Sequence, residues 1–202
     1  MKKKKLLIAL TAAVVLIAAV ILAPYIYAAT LPRRTYTDDD RALHGPVFGG
    51  MGDRTPPSIE LCVKRAGFIC EATVLTDGKE KKADGLNHVR FKMLVNDVWF
   101  GECRNRILDI GISGHPSGDI KLAKGDRIII FAARAANVKE VKERYGYEYA
   151  VSDGAHGIYI VNPDGRLFSL TDRSNFADFE GQPPAVLKEH IREIRRELKK
   201  EK

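Results

Sequence analysis

Cysteine is scarce in this chain and odd in number, so a disulfide framework is excluded. Cys62, Cys70 and Cys103 allow one intramolecular bridge at most. They form no C-x-x-C pair, which removes the common zinc and dithiol patterns. Cys62 shares a helical face with Ile59, Val63 and Ala66, and Cys70 falls in the alternating row Phe68, Cys70, Ala72, Val74. Both therefore read as small core residues, a role that free cysteine fills well.

Catalytic signatures are missing too. The sequence contains no G-x-S-x-G, H-E-x-x-H, P-loop or G-x-G-x-x-G; Gly49-Gly50-Met51-Gly52 lacks both the spacing and the strand-to-helix setting of a phosphate loop. The five histidines, His44, His88, His115, His156 and His190, include no pair at metal-ligand spacing. No metal, cofactor or catalytic set is therefore expected. The enzyme alternative is a small hydrolase-like site in which His115 and Ser117 of one loop meet Asp153 and His156 of another, since acid-base groups gather on loops held by a rigid barrel. Thr37-Asp38-Asp39-Asp40 lacks the glycine and distal glutamate of a calcium-binding EF-hand loop and reads as a solvated charge cluster.

The clearest positive feature is the start. Lys2 to Lys5 precede 26 uncharged, almost wholly apolar residues from Leu6 to Leu31, more than the ~20 that a helix needs to cross a bilayer. Tyr25 and Tyr27 fall where an interfacial aromatic belt belongs, and the lysine excess on the N-terminal side orients that end toward the cytoplasm. The run exceeds the apolar stretch of a cleaved signal and offers no good A-x-A site, although Ala28-Ala29 leaves cleavage open as an alternative, in which case the remainder is secreted. Residues 6–31 are thus expected to contact membrane lipid as a signal anchor, with a single pass and an extracytoplasmic C-terminal part. Of 33 basic residues, the four lysines of the anchor leave 29 against 26 acidic ones, so the exported part is only slightly basic and nucleic acid is not an expected partner.

Beyond the anchor (1–31), residues 32–57 read as a stalk or irregular lead-in rich in Pro, Gly, Asp and Arg. Residues 58–182 read as one β domain. Thr55 or Ser58 can cap a short helix that Gly67 can end, after which the apolar period changes from helical to two. Phe68 to Val74 and Val89 to Val95 alternate as half-buried strands, with a polar loop from Asp77 to Asn87 between them. The outward row of the second strand is His88, Arg90, Lys92, Leu94 and Asn96, basic but without a ring for base stacking; an OB-type single-strand binder would need one. Arg106 to Ile112 is a third strand, and Ile128 to Phe131, apolar on both faces, is a central one. Ala132 to Gly146 is a charged, partly helical excursion. Tyr147 to Val151 and Gly157 to Val161 are strands, and Asn162-Pro163-Asp164-Gly165 turns the last into Arg166 to Leu170.

Residues 183–202 form an amphipathic helix opened by Pro183 and Pro184, with one stripe of Leu187, Ile191, Ile194 and Leu198. Packing on the barrel is the expected use of that stripe; self-association, a partner face and anionic lipid contact remain open.

The order Ser58-Ile59-Glu60, Ile69 to Val74, Val89 to Gly101, Gly125-Asp126 with Arg127 to Phe131, and Asp153 to Val161 resembles many exported bacterial proteins similar to the OB-like barrel of tissue inhibitors of metalloproteinases. The resemblance implies a mainly β fold with flanking helices. The inhibitors' metal-chelating N-terminal cysteine has no counterpart here, so metalloproteinase inhibition is not carried over. The expected function is a membrane-anchored, extracytoplasmic, non-enzymatic module that binds an envelope protein or ligand.

Overall fold

The computed structural model describes residues 2–40, 58–84, 86–103, 105–113, 122–152, 157–170 and 177–200. Contacts divide the chain into two units, Met1–Leu31 and Pro32–Lys202. The first is helix α1 (Lys2–Thr30), in which the 22 residues Ala9–Thr30 are long and apolar enough to cross a bilayer. It is the one such helix among the described residues. Pro24 lies inside it, and Thr30 Oγ1 donates 2.8 Å to the Tyr27 carbonyl, occupying one of the acceptors left over at a helix end.

The second unit is mainly β. Its strands are β1 (Phe68–Val74), β2 (Lys79–Ala83), β3 (Leu86–Gly101), β4 (Ile107–Ser113), β5 (Arg127–Arg134), β6 (Tyr149–Val151), β7 (Ile158–Val161) and β8 (Leu167–Ser169); its helices are α2 (Ile59–Arg65), α3 (Val138–Tyr145) and α4 (Pro184–Lys200). Strands run in the order β1-β3-β4-β6-β5, and β1 also pairs with β5, so five strands close into a barrel compatible with an OB-like one. The β4–β6 seam is parallel and the other seams antiparallel. Beyond the barrel, β5 also carries β7, which carries β8.

The period-two rows decide what fills the barrel. Phe68, Cys70, Ala72 and Val74 point inward with Val89, Phe91, Met93 and Val95, and Leu108, Ile110, Ile112, Ile128, Ile130 and Tyr149 are among the residues that pack with them. The other face of β5 and β7 is largely apolar as well, with Ile69 of β1 beside it. Ile69, Ile129, Phe131, Tyr159 and Val161 form a second core with Ile59, Cys62 and Val63 of α2 and Leu187, Ile191 and Ile194 of α4. The two-sided hydrophobicity of Ile128 to Phe131 thus reflects one barrel face and one helix-covered face. The stripe of α4 packs on the barrel as its periodicity predicts, with Leu187, Ile191 and Ile194 buried and Leu198 packed at the margin. Burial of three aliphatic side chains contributes on the order of 5 kcal/mol before entropy is charged.

Several local expectations hold and others are corrected. Ser58 caps α2 by accepting from Leu61 N–H, and α4 opens at Pro184, where a missing N–H costs nothing. The turn Asn162 to Gly165 is closed by a 2.8 Å bond from Gly165 N to Asn162 O, with φ of 82° at Gly165, a conformation glycine adopts without strain. Gly67, however, does not end α2. The helix stops at Ala66 in extended backbone, and Gly67 N donates to Ala132 O at 3.0 Å as β1 begins. Nor is Asp77 to Asn87 only a loop: Lys79–Ala83 is a strand paired with the start of β3. Its side chains carry no apolar alternation because none faces a core; only backbone pairing makes it a strand. The outward row of β3 is also corrected, since His88 and Leu94 are buried.

The lead-in is described as far as Asp40, and residues 33–40 lie on the barrel. Tyr36 is buried; its backbone N donates 2.9 Å to Asn162 Oδ1, and its O accepts from Asn162 Nδ2 at 3.1 Å. Arg33 Nη2 donates to Val161 O at 2.8 Å. Residues 41–57 fall outside the described residues, as does Thr55 within them.

Candidate functional site

The residues considered for an acid-base site, His115, Ser117, Asp153 and His156, all fall outside the described residues, as does His44. Of the two described histidines, His190 is half-buried on α4, 3.9 Å from Glu60 and 3.7 Å from Glu193. Among the described residues no group of three or more His, Cys, Asp or Glu could hold a metal ion. None of the three cysteines is in a disulfide: Cys62 and Cys70 are buried, burial raises the Cys70 pKa, and half-buried Cys103 donates to Asn105 O at 3.1 Å.

An OB barrel ordinarily offers ligands the face of its second and third strands, between the first and last inter-strand loops. Here β3, β4, the β2 hairpin and α3 occupy those places, and the two connections grip each other. Asp84, at the hairpin turn, accepts from the Tyr145 hydroxyl and from Arg144, and these two bonds hold its carboxyl below the usual range. Lys81 Nζ donates 3.1 Å to Glu143 O, and Arg90 Nη1 donates 2.9 Å to Gly146 O. Beneath this clasp the His88 ring lies 4.5 Å from Tyr145, with Nδ1 3.2 Å from the Tyr147 hydroxyl. Burial lowers the His88 pKa, disfavouring its charged form. The clasp employs Arg90, leaving Lys92 as the exposed cation of the row expected outside.

A different surface has the features of a binding site. At the far end of β3, Trp99 and Phe100 meet α4 and, with Ile191, Arg192, Arg195, Arg196 and Lys199, line an open cleft of about 200 Å³. The local reason is the length of β3: its last residues run past β4, pair with β1 at Phe100↔Ile69, and bring two aromatic rings beneath the helix. On α4 the residues 192, 195, 196 and 199 fall three and four apart, so the four cations share one flank beside the buried stripe. The Arg195 guanidinium carbon lies 3.1 Å from the Phe100 ring centroid, and Lys188 Nζ lies 5.6 Å from that of Trp99.

The charges in this cleft are unevenly compensated. Glu189 accepts from Arg192 at 2.9 Å and from Arg196 at 3.5 Å. Lys188 is paired with Asp97. Arg195 and Lys199 have no ion pair among the described residues, and partial burial lowers the Arg195 pKa. Two buried donors of the lining residues, Trp99 Nε1 and Arg195 Nε, meet no acceptor among the described residues. An unmet buried donor costs about 1–3 kcal/mol, so a movement that gives either one an acceptor is favoured. The amphipathic pattern of α4 was legible in the sequence, but its cationic flank reads there as an ordinary solvated face. Only its pairing with Trp99 and Phe100, some ninety residues earlier, marks it.

Compared with protein-family models, curated proteins and solved structures, the chain matches none.

Proposed function

We propose that this chain is a membrane-anchored, extracytoplasmic, non-enzymatic module that binds an envelope component through the cleft between β3 and α4. The observation that carries the binding reading is the chemistry of the lining: guanidinium, ammonium, indole, phenyl and aliphatic groups and, among the described residues, no carboxylate, imidazole, thiol or hydroxyl to move a proton or attack a substrate. Such groups recognise and hold. The anchor reading is supported by α1, whose apolar length suits a bilayer, and by the lysines at its start, which favour a cytoplasmic N-terminus. Likeness to the inhibitor barrels adds the habit of a small β barrel that works by binding, and rests on segment spacing alone.

The test is site-specific photo-cross-linking of the full chain in intact cells, with the probe placed at Lys199 in the cleft or at Lys139 on α3. A discrete adduct from Lys199, absent from Lys139 and lost when Arg195→Met is added, is the expected result. No adduct from Lys199, or turnover of a substrate by the purified chain in a broad hydrolase screen, would sink the reading.

A further inference from the structure

We infer that the cleft between β3 and α4 takes a phosphate group carried on an apolar body. The inference rests on the binding reading above and names the ligand class for the same site. The argument is one of donors and acceptors. A carboxylate is served by a single guanidinium fork, in one plane. This cleft is instead lined by four cationic side chains, Arg192, Arg195, Arg196 and Lys199, on the helix side, facing Trp99 and Phe100 on the strand side. A tetrahedral oxyanion offers several acceptor oxygens in several directions, and guanidinium groups match it well. The cations span 192 to 199, seven residues of helix or roughly 10 Å, enough for one such group and its attachment.

The rest of the lining sets the second half of the class. Trp99, Phe100 and Ile191 give the cleft an apolar wall that a bare inorganic ion would leave unused. Arg195 at present lies over the Phe100 ring with its Nε shut from solvent. Lifting it toward an anion satisfies that donor and uncovers the ring for the apolar part of the ligand. The neighbouring pairs with Glu189 are exposed, so drawing Arg192 and Arg196 away costs little. An anionic glycerophospholipid and a small soluble organic phosphate share this chemistry.

Trp99 is the only tryptophan of the chain, so its emission reads the cleft directly. The full chain in neutral detergent is titrated with phosphatidylglycerol in mixed micelles, with soluble hexyl phosphate and with laurate. A saturable change in Trp99 emission with either phosphate ligand, weakened at least about tenfold by Arg195→Met and several-fold by Lys199→Gln but not by Lys139→Gln, is expected. Arg195→Met keeps an unbranched stem over Phe100, and exposed Lys199→Gln covers the case in which the first variant misfolds. Response to phosphatidylglycerol alone assigns a lipid source; response to both ligands shows that a phosphate on a short apolar body suffices. Silence toward both, an unchanged response in Arg195→Met and Lys199→Gln, or an equal response to laurate overturns the inference. If silence coincides with a retained Lys199 cross-link, the ligand class is wrong and the binding reading stands; if the cross-link is lost as well, both fall.

Discussion

At the scale of single residues, the acidic group with the most to report is Asp126. Its Oδ2 accepts from the Tyr36 hydroxyl and from Ala123 N–H at 2.6 Å, while its buried Oδ1 has no partner among the described residues. Burial outweighs those bonds and raises its pKa above the usual ~3.9. The folded chain therefore keeps this proton to higher pH than the unfolded chain, and unfolding releases it. Stability contributed by protonated Asp126 is present at low pH and lost as pH rises above about 4. Asp126→Asn removes that titration, so melting curves of the full chain in neutral detergent should show the variant gaining on the wild type between pH 4 and 7. A constant gap would exclude the linkage. Gly111 offers a steric test: a Cβ there would overlap the Tyr147 ring. Gly111→Ala should cost about 1–3 kcal/mol, visible as a lower melting temperature, with part of the loss recovered on adding Tyr147→Val.

Among the elements, α4 has the most direct test. Its Ile191 is buried in the second core, and Ile191→Asp would leave a charge inside that apolar cluster. A penalty above about 4 kcal/mol is expected, enough to unfold the barrel unit or lower its melting temperature by roughly 8 °C or more. An unchanged melting temperature would mean that the helix is not the lid of the barrel. The lead-in is held more lightly. Asn162→Ala removes both side-chain bonds to the Tyr36 backbone, so limited proteolysis should cut residues 32–40 faster while leaving the barrel strands protected. Equal cutting rates would show that burial of Tyr36 alone holds the segment.

At the scale of the whole molecule, α1 decides where the barrel works. If α1 remains attached and spans a bilayer, the full chain should stay with membranes through alkaline extraction, and protease added from outside should degrade the C-terminal part. Release by alkali, together with a mass that begins near Thr30, would establish the cleaved and secreted alternative. Neither result bears on the cleft, which belongs entirely to the second unit.

The sequence by itself determined what one-dimensional patterns carry. Uncharged length set α1 apart, period two placed Phe68, Cys70, Phe91 and Met93 inside the barrel, and the four-three-four stripe put Leu187, Ile191 and Ile194 against it. These are legible because burial of one face imposes a local repeat. Tertiary structure decided the rest. The strand Lys79–Ala83 has no face to bury and exists through its partner, so no repeat announced it. His88 and Leu94 alternate as outward residues should and are nonetheless buried, His88 against Tyr145 and Tyr147 in the clasp, because burial on the outside of a barrel depends on what the connecting segments lay over it. The cleft joins Trp99 and Phe100 to Arg195 and Lys199 across the chain, and its unmet donors arise from packing that a spacing rule does not encode.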